Sequence, residues 1–115
     1  MKLLIVDDNA QMRLLIKSFV GDIAESVIEC SDGSEALTVY REQLPDWVLM
    51  DIKMGQEDGI SATRQIKAAY PAARIMIVTD YDDSRLRRAA RCAGACEYVV
   101  KEDLREARRI LLKGF

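Results

Sequence analysis

Carboxylate, hydroxyl and amine side chains follow the short apolar runs of this sequence. Asp7 and Asp8 follow the first run, Asp51 the third, Thr79 the fourth and Lys101 the fifth. Carboxylates without histidine or cysteine nearby are hard oxygen ligands, which favour Mg²⁺ or Mn²⁺ over zinc. A metal ion, a hydroxyl and an amine commonly surround a phosphoryl group during its transfer. One carboxylate of such a site can act as the nucleophile and form an aspartyl phosphate.

The overall composition excludes several other classes of function. The chain contains no histidine, which rules out Ser-His-Asp hydrolysis, Cys-His proteolysis and an H-E-x-x-H zinc site. Its 17 basic and 19 acidic residues leave a net charge of -2, which argues against a general binder of nucleic acid or anionic membranes. No apolar run approaches the ~18 residues of a membrane span. We expect a cytoplasmic protein with no signal peptide and no membrane partner.

The three cysteines do not suggest a metal centre. Cys92 and Cys96 are four residues apart, with neither a histidine nor a third nearby thiol to complete a zinc site. An odd number of cysteines in a chain expected to be cytoplasmic also disfavours a disulfide framework. We therefore expect small buried residues in a reducing compartment.

Apolar periodicity alternates between two patterns along the chain. The short continuous runs cover residues 3–6, 27–28, 47–50, 75–78 and 98–100. Their brevity and their valine and isoleucine content predict strands buried on both faces of a parallel sheet. Helical spacing occupies each gap and the segment after the last run, and the first helix has an apolar stripe of Met12, Leu15, Ile16, Phe19 and Val20.

Capping residues and prolines agree with this alternation. Asn9 is placed to cap the first helix, and Asp32 with Glu35 forms a capping pattern before the second. Pro45 and Pro71 precede the third and fourth strands, where a helix must already have ended. The pattern predicts one doubly wound α/β domain over residues 1–115. In such sheets the functional residues gather beyond the carboxyl ends of the strands.

Several segments together resemble a known family. They are Leu4-Ile5-Val6-Asp7-Asp8-Asn9, Asp51-Ile52-Lys53-Met54, Asp58-Gly59, Val78-Thr79 and Tyr98-Val99-Val100-Lys101. In this order and spacing they resemble the receiver domain of two-component response regulators, over essentially the whole chain. Residues 79–83 and 94–101 are most similar to the subgroup with a LuxR-type helix-turn-helix output domain. The resemblance implies a flavodoxin-like (βα)5 fold with strand order 2-1-3-4-5.

The resemblance also implies a phosphoacceptor and a metal site. Asp51 would accept a phosphoryl group from a phosphohistidine of a partner sensor histidine kinase. Asp8 would bind Mg²⁺ directly and Asp7 mostly through water. Asp51 and the backbone carbonyl of Lys53 would complete the protein ligands.

The switch residues implied by the resemblance lie beside this site. Lys101 would pair with one phosphate oxygen, Thr79 would move to hydrogen-bond another, and Tyr98 would turn inward behind it. The output would be a repacked surface of the fourth helix, fifth strand and fifth helix, which could also form a homodimer. Such a receiver is a signalling switch and not an enzyme, apart from self-phosphorylation by phosphodonors and slow autodephosphorylation.

Some positions depart from the family pattern. Gly55 stands where proline usually follows the methionine, which should loosen the loop after Asp51. Asp80 replaces a small residue and should repel an incoming phosphodonor, whereas Lys53 could compensate. We expect Lys53, Asp80 and Tyr81 to modulate a phosphorylation rate that is real but slow.

Arginines are concentrated on two predicted helices. They are Arg85, Arg87, Arg88 and Arg91 on the fourth helix and Arg105, Arg108 and Arg109 on the fifth. The pattern fits either solvated, salt-bridged helix faces or a docking face for an acidic partner. Direct DNA contact is the weaker interpretation, and we expect it only through an effector domain that this chain does not contain.

Two other functions remain open from the residues. The first is a phosphorylation-independent interaction or dimerisation module that keeps the fold and the acidic pocket. The second is a hydrolase with an aspartyl nucleophile. That class usually carries Asp-x-Asp after its first strand, whereas this chain has Asp7-Asp8-Asn9.

Overall fold

The computed structural model describes residues 1–54 and 58–114 of the chain. The strands are β1 (Lys2–Val6), β2 (Ser26–Cys30), β3 (Trp47–Met50), β4 (Ile75–Thr79) and β5 (Glu97–Val100). The helices are α1 (Ala10–Val20), α2 (Gly33–Gln43), α3 (Gly59–Ala69), α4 (Ser84–Ala93) and α5 (Leu104–Lys113). Short 3₁₀ turns cover Gly21–Ile23 and Lys101–Asp103. Within the described residues, no helix is both long and apolar enough to cross a bilayer.

All paired strands are parallel and lie in the order β2-β1-β3-β4-β5. This confirms the predicted flavodoxin-like order. Val6 is in register with Cys30 on one side and with Met50 on the other. The carboxyl ends of β1, β2 and β3 therefore lie at one edge, with the residues after β1 and β3 side by side.

Alternate residues of the strands pack against helices on opposite faces of the sheet. Leu4 and Val6 belong to an apolar cluster that includes residues of α2, α3 and α4. Leu3 and Ile5 belong to a second cluster that includes residues of α1 and α5. Burial on both faces explains why the strands of a parallel sheet appear as continuous apolar runs.

Side-chain hydrogen bonds cap the N-termini of α1, α2, α3 and α4. Asn9 Oδ1 accepts from the Met12 amide at 3.0 Å, and Asp32 Oδ1 accepts from the Ser34 amide at 3.0 Å. Asp58 and Asp83 cap α3 and α4 in the same way. The predicted caps at Asn9 and Asp32 are confirmed, and they start α1 and α2 directly after their strands.

Two burial predictions are wrong. Leu15 belongs to the predicted apolar stripe of α1 but is 43% exposed, because Ile16 and Val20 occupy the sector that faces the sheet. Cys92 and Cys96 are exposed, whereas Cys30 is buried as expected. The face of α4 that meets the core carries Ala90 and Ala93, so Cys92 lies outside it, and Cys96 precedes β5.

Candidate functional site

Three carboxylates meet at the carboxyl edge of the sheet. The Asp51 amide donates to the Val6 carbonyl at 2.9 Å, which continues the β1–β3 ladder and sets Asp51 beside Asp7. Asp7, Asp8 and Asp51 each offer an oxygen, and these oxygens all lie within 4.8 Å of one another. Asp7 and Asp51 are buried and Asp8 is exposed. The site therefore has a closed side formed by the sheet and an open side at Asp8.

Lys101 bridges the two buried carboxylates. Its Nζ lies 2.9 Å from Asp7 Oδ2 and 3.3 Å from Asp51 Oδ2, and its side chain is only 7% exposed. Asp51 Oδ1 accepts from the Ile52 amide at 2.8 Å, and Asp7 Oδ1 accepts from the Asn9 amide at 2.9 Å. Each carboxylate thus has one oxygen held by the backbone and one directed at the ammonium group.

Burial and neighbouring charges shift the ionisation of this cluster. Burial raises the pKa of Asp51 to about 6, opposed by the charge of Lys101 and reinforced by that of Asp7. Burial alone would lower the pKa of Lys101, but hydrogen bonds and charge interactions with Asp7 and Asp51 raise it. The site thus brings three acidic side chains together with one lysine, and this excess of acidic groups favours the binding of a further cation.

The donor set fits a hard divalent cation. Asp7 Oδ2 is buried and, among the described residues, accepts no hydrogen bond apart from its ion pair with Lys101. A buried carboxylate oxygen with spare lone pairs beside two further carboxylates suits Mg²⁺, which takes few protein oxygens and keeps several waters. The residues present therefore fit the predicted ion. The Lys53 side chain contacts the Tyr81 ring, with Nζ 5.2 Å from the ring centroid.

Thr79 and the two tyrosines form a connected group next to Lys101. Thr79 is in register with Val100, so it ends β4 beside the start of the Lys101 turn, and it is fully buried. The Tyr81 amide lies 3.4 Å from Thr79 Oγ1, and the Tyr98 hydroxyl donates to the Tyr81 carbonyl at 2.6 Å. Thr79, Tyr81 and Tyr98 are thus linked through one loop.

The residues predicted to modulate the phosphorylation rate lie at the protein surface. Lys53, Asp80 and Tyr81 are all exposed, and Lys53 and Tyr81 contact each other. No partner of the Asp80 side chain is found among residues 1–54 and 58–114. Gly55, for which a looser loop is predicted, lies outside the described residues.

The arginine-rich helices divide into a paired and an unpaired set. Arg87 contacts Asp82 at 3.0 Å and lies 4.5 Å from the Tyr98 ring centroid. Arg108 pairs with Asp22 at 2.6 Å, and Arg109 pairs with Glu106. Within the described part of the chain, Arg85, Arg88, Arg91 and Arg105 form no ion pair. Salt bridging thus accounts for some of these arginines, and the outward face of α4 keeps an unbalanced positive charge.

Two residues at the site received no role from the sequence. Arg13 donates from Nη1 to the Asp7 carbonyl at 2.6 Å. Gly59 packs against the Asp51 backbone so closely that a β-carbon there would overlap the Asp51 carbonyl oxygen. The position of Arg13 one turn into the helix after Asp7-Asp8 was the available signal for the first. The Asp58-Gly59 motif was the signal for the second.

Comparison with known proteins agrees with this geometry. The sequence model described as "Response regulator receiver domain" matches residues 3–111. The chemotaxis protein CheY of Bacillus subtilis is 40% identical over 101 residues, which are 87% of this chain and 84% of that protein. The response regulator protein VraR of Staphylococcus aureus is 34% identical over 120 residues, covering 98% of this chain and 57% of that protein.

Solved structures show the same similarity. A LuxR-family two-component response regulator from Aurantimonas sp. SI85-9A1 superposes with a TM-score of 0.86 at 33% identity, covering 98% of this chain and 85% of that one. The chemotaxis protein CheY4 of Vibrio cholerae superposes with a TM-score of 0.89, covering 99% of this chain and 98% of that one. At 21% identity the second comparison supports the fold alone.

Proposed function

The chain belongs to the receiver domain family of two-component response regulators, and from that premise we propose that it is a switch activated by phosphorylation of Asp51. Receiver domains are signalling modules and not classical enzymes. The observation that carries the proposal is the cluster of Asp7, Asp8 and Asp51 oxygens within 4.8 Å, with Lys101 joined to two of the three carboxylates. We take residues 1–115 as one receiver domain that acts in the cytoplasm.

The proposed reaction uses Asp51 as a nucleophile. An oxygen of the ionised carboxylate attacks the phosphorus of a phosphohistidine on a sensor histidine kinase, and the phosphorus–nitrogen bond breaks as the imidazole leaves. Asp7, Asp8, Asp51 and the Lys53 carbonyl would hold Mg²⁺ (or Mn²⁺), which when bound offsets the charge of the phosphoryl oxygens. Lys101 lies close enough to Asp51 to pair with one of those oxygens. The histidine that this chain lacks is supplied by the donor protein.

The proposed response involves the residues next to Lys101. Thr79 would move to hydrogen-bond a phosphoryl oxygen. Because the Tyr81 amide contacts Thr79 Oγ1, this movement would displace the loop that carries Tyr81. Because the Tyr98 hydroxyl is bonded to the Tyr81 carbonyl and its ring lies against Arg87, this shift would reach α4 and β5. The surface of α4, β5 and α5 would then bind a partner or a second copy of the chain. DNA contact would require a separate effector domain.

The alternative is a module whose partner surface forms without phosphorylation. Tyr98 favours it, because its ring and hydroxyl already have partners in Arg87 and Tyr81. In this case the acidic site would bind a metal ion and contribute stability, and the face of α4 and β5 would be permanently available.

Amide NMR spectra distinguish the two proposals. Mg²⁺ is titrated first and acetyl phosphate is added afterwards, with Asp51→Asn as the matched variant. The switch predicts that acetyl phosphate shifts the resonances of Thr79, Tyr98 and α4 in the wild type only. Mg²⁺-induced shifts around Asp8 with no later change in α4 would support the phosphorylation-independent module instead.

A further inference from the structure

Arg13 connects helix α1 with the loop of residues 7–9 that follows β1 and with strand β2. Its Nη1 donates to the Asp7 carbonyl at 2.6 Å, and its Nε donates to Glu29 Oε1 at 2.9 Å. The other carboxylate oxygen of Glu29 accepts from Lys17 Nζ at 2.9 Å. The Arg13 side chain is only 17% exposed. One guanidinium group therefore holds both the loop and an anchor on β2.

The Asp7 carbonyl belongs to the peptide group that connects Asp7 to Asp8. The Asp7 amide donates to the Cys30 carbonyl at 3.0 Å, and Asp7 Oδ1 accepts from the Asn9 amide at 2.9 Å. The peptide bond that joins Asp7 to Asp8 is planar, so the direction of its carbonyl also determines where the Asp8 amide and Cα lie. Arg13 fixes that direction from outside the loop.

We propose that Arg13, anchored by Glu29, is a positioning residue that presets Asp7 and Asp8 for a divalent cation. The inference rests on the proposed function, which assigns Mg²⁺ to these carboxylates. Partners outside the ligand set commonly change metal affinity 10- to 100-fold when they are removed, because the ligands then lose their orientation.

Electrostatics alone predicts the opposite sign. The guanidinium group is a positive charge near the loop, and a fixed positive charge opposes the binding of a second cation. Removing it would therefore strengthen Mg²⁺ binding if charge were its only contribution. A positioning role predicts weaker binding despite the loss of that repulsion, so the direction of the change decides between the two.

The test is calorimetric titration of Mg²⁺ into the full chain and its variants. Arg13→Met is expected to weaken Mg²⁺ binding by roughly tenfold. Lys17→Met is the matched control, because like Arg13→Met it removes one positive charge from α1 and one hydrogen-bond partner from Glu29, but it leaves the contact with Asp7 in place. It is expected to leave the affinity unchanged or slightly increased. If the wild type binds Mg²⁺ and Arg13→Met binds it equally or more tightly, the positioning role of Arg13 is wrong. The proposed metal site is unaffected by that result.

A second variant and a stability measurement separate positioning from general destabilisation. Glu29→Gln leaves Arg13 in place but removes the charge of its anchor, and we expect a smaller loss of Mg²⁺ affinity in the same direction. Thermal unfolding without Mg²⁺ identifies variants that are simply less stable. If Arg13→Met does not fold, unchanged Mg²⁺ affinity in Glu29→Gln overturns the inference. Absence of Mg²⁺ binding by the wild type would overturn the proposed metal site and this inference together.

Discussion

The backbone of Gly59 packs directly against the carbonyl oxygen of Asp51. A β-carbon on residue 59 would overlap that oxygen and also come within 2.7 Å of the carbonyl carbon. The Gly59 amide donates to the Ile52 carbonyl at 2.7 Å, and Asp58 caps the helix that Gly59 begins. The first turn of α3 therefore rests on the peptide group of the proposed phosphoacceptor, and only glycine allows this approach.

Substitution of Gly59 should damage both the fold and the site. In Gly59→Ala the methyl group must displace the backbone of Asp51, and we expect a loss of about 1–3 kcal/mol in unfolding free energy from overpacking. The phosphorylation rate should fall with it, because Asp51 moves relative to Asp7. Urea unfolding and acetyl phosphate labelling measure the two effects. Gly21→Ala is the control, since the nearest atom to its added carbon is Lys17 Cβ at 3.9 Å.

Removal of Lys101 should separate metal binding from phosphorylation. Lys101→Met takes away the cation that lies 2.9 Å from Asp7 and 3.3 Å from Asp51. Mg²⁺ should then bind roughly tenfold more tightly, since a nearby positive charge no longer opposes it. Phosphorylation should nevertheless be slower. Lys113→Met, at the exposed end of α5, serves as the charge-matched control, and weaker Mg²⁺ binding in Lys101→Met would contradict this expectation.

The ionised side chain of Asp51 should lower the free energy of unfolding at neutral pH when no metal is bound. Its pKa is raised from 3.8 to about 6 in the folded chain, so the folded state holds the proton more tightly than the unfolded state. Stability is therefore lost as the pH rises from about 4 to about 6. Asp51→Asn should be about 1–3 kcal/mol more stable than the wild type at pH 7.5. Urea unfolding at pH 7.5 and pH 5.0 checks this, because the advantage should be smaller at the lower pH.

Asp80 should slow phosphorylation by small anionic donors. The side chain is exposed, and it follows Thr79 at the edge of the sheet where the three acidic residues meet, so its negative charge adds to that of an already acidic site. Asp80→Asn should react with acetyl phosphate roughly twofold to threefold faster at low salt, with the difference lost at high ionic strength. Glu42→Gln, which removes a charge from the far end of α2, should have no effect. Equal rates for Asp80→Asn and the wild type at low salt would rule out the repulsion.

Much of this arrangement follows from local sequence patterns. Strand β3 has the predicted bounds, and Asp7, Asp8 and Asp51 meet because carboxyl ends of parallel strands share one edge. Burial on the helices was less predictable. Leu15 is exposed because the helix has only one sector facing the sheet, and apolar spacing alone does not show which neighbouring residue occupies it.

The sequence patterns do not predict which residues of distant segments contact one another. The contact between Arg13 and Glu29, 16 residues apart, exists because β2 lies beside α1. Gly59 appeared as part of a motif, but its close contact with the Asp51 carbonyl depends on where α3 begins. Both relationships depend on packing between elements, which the spacing of residue types does not encode.

The proposed switch requires Asp51 to accept one phosphoryl group. Intact-mass measurement after incubation with acetyl phosphate and Mg²⁺ tests it most directly, with Asp51→Asn treated in parallel. We predict an added mass of one phosphoryl group on the wild type and none on the variant. The wild type should also stay unmodified when Mg²⁺ is chelated before the donor is added. An unmodified wild type under saturating donor, or an equal adduct on Asp51→Asn, would contradict the account.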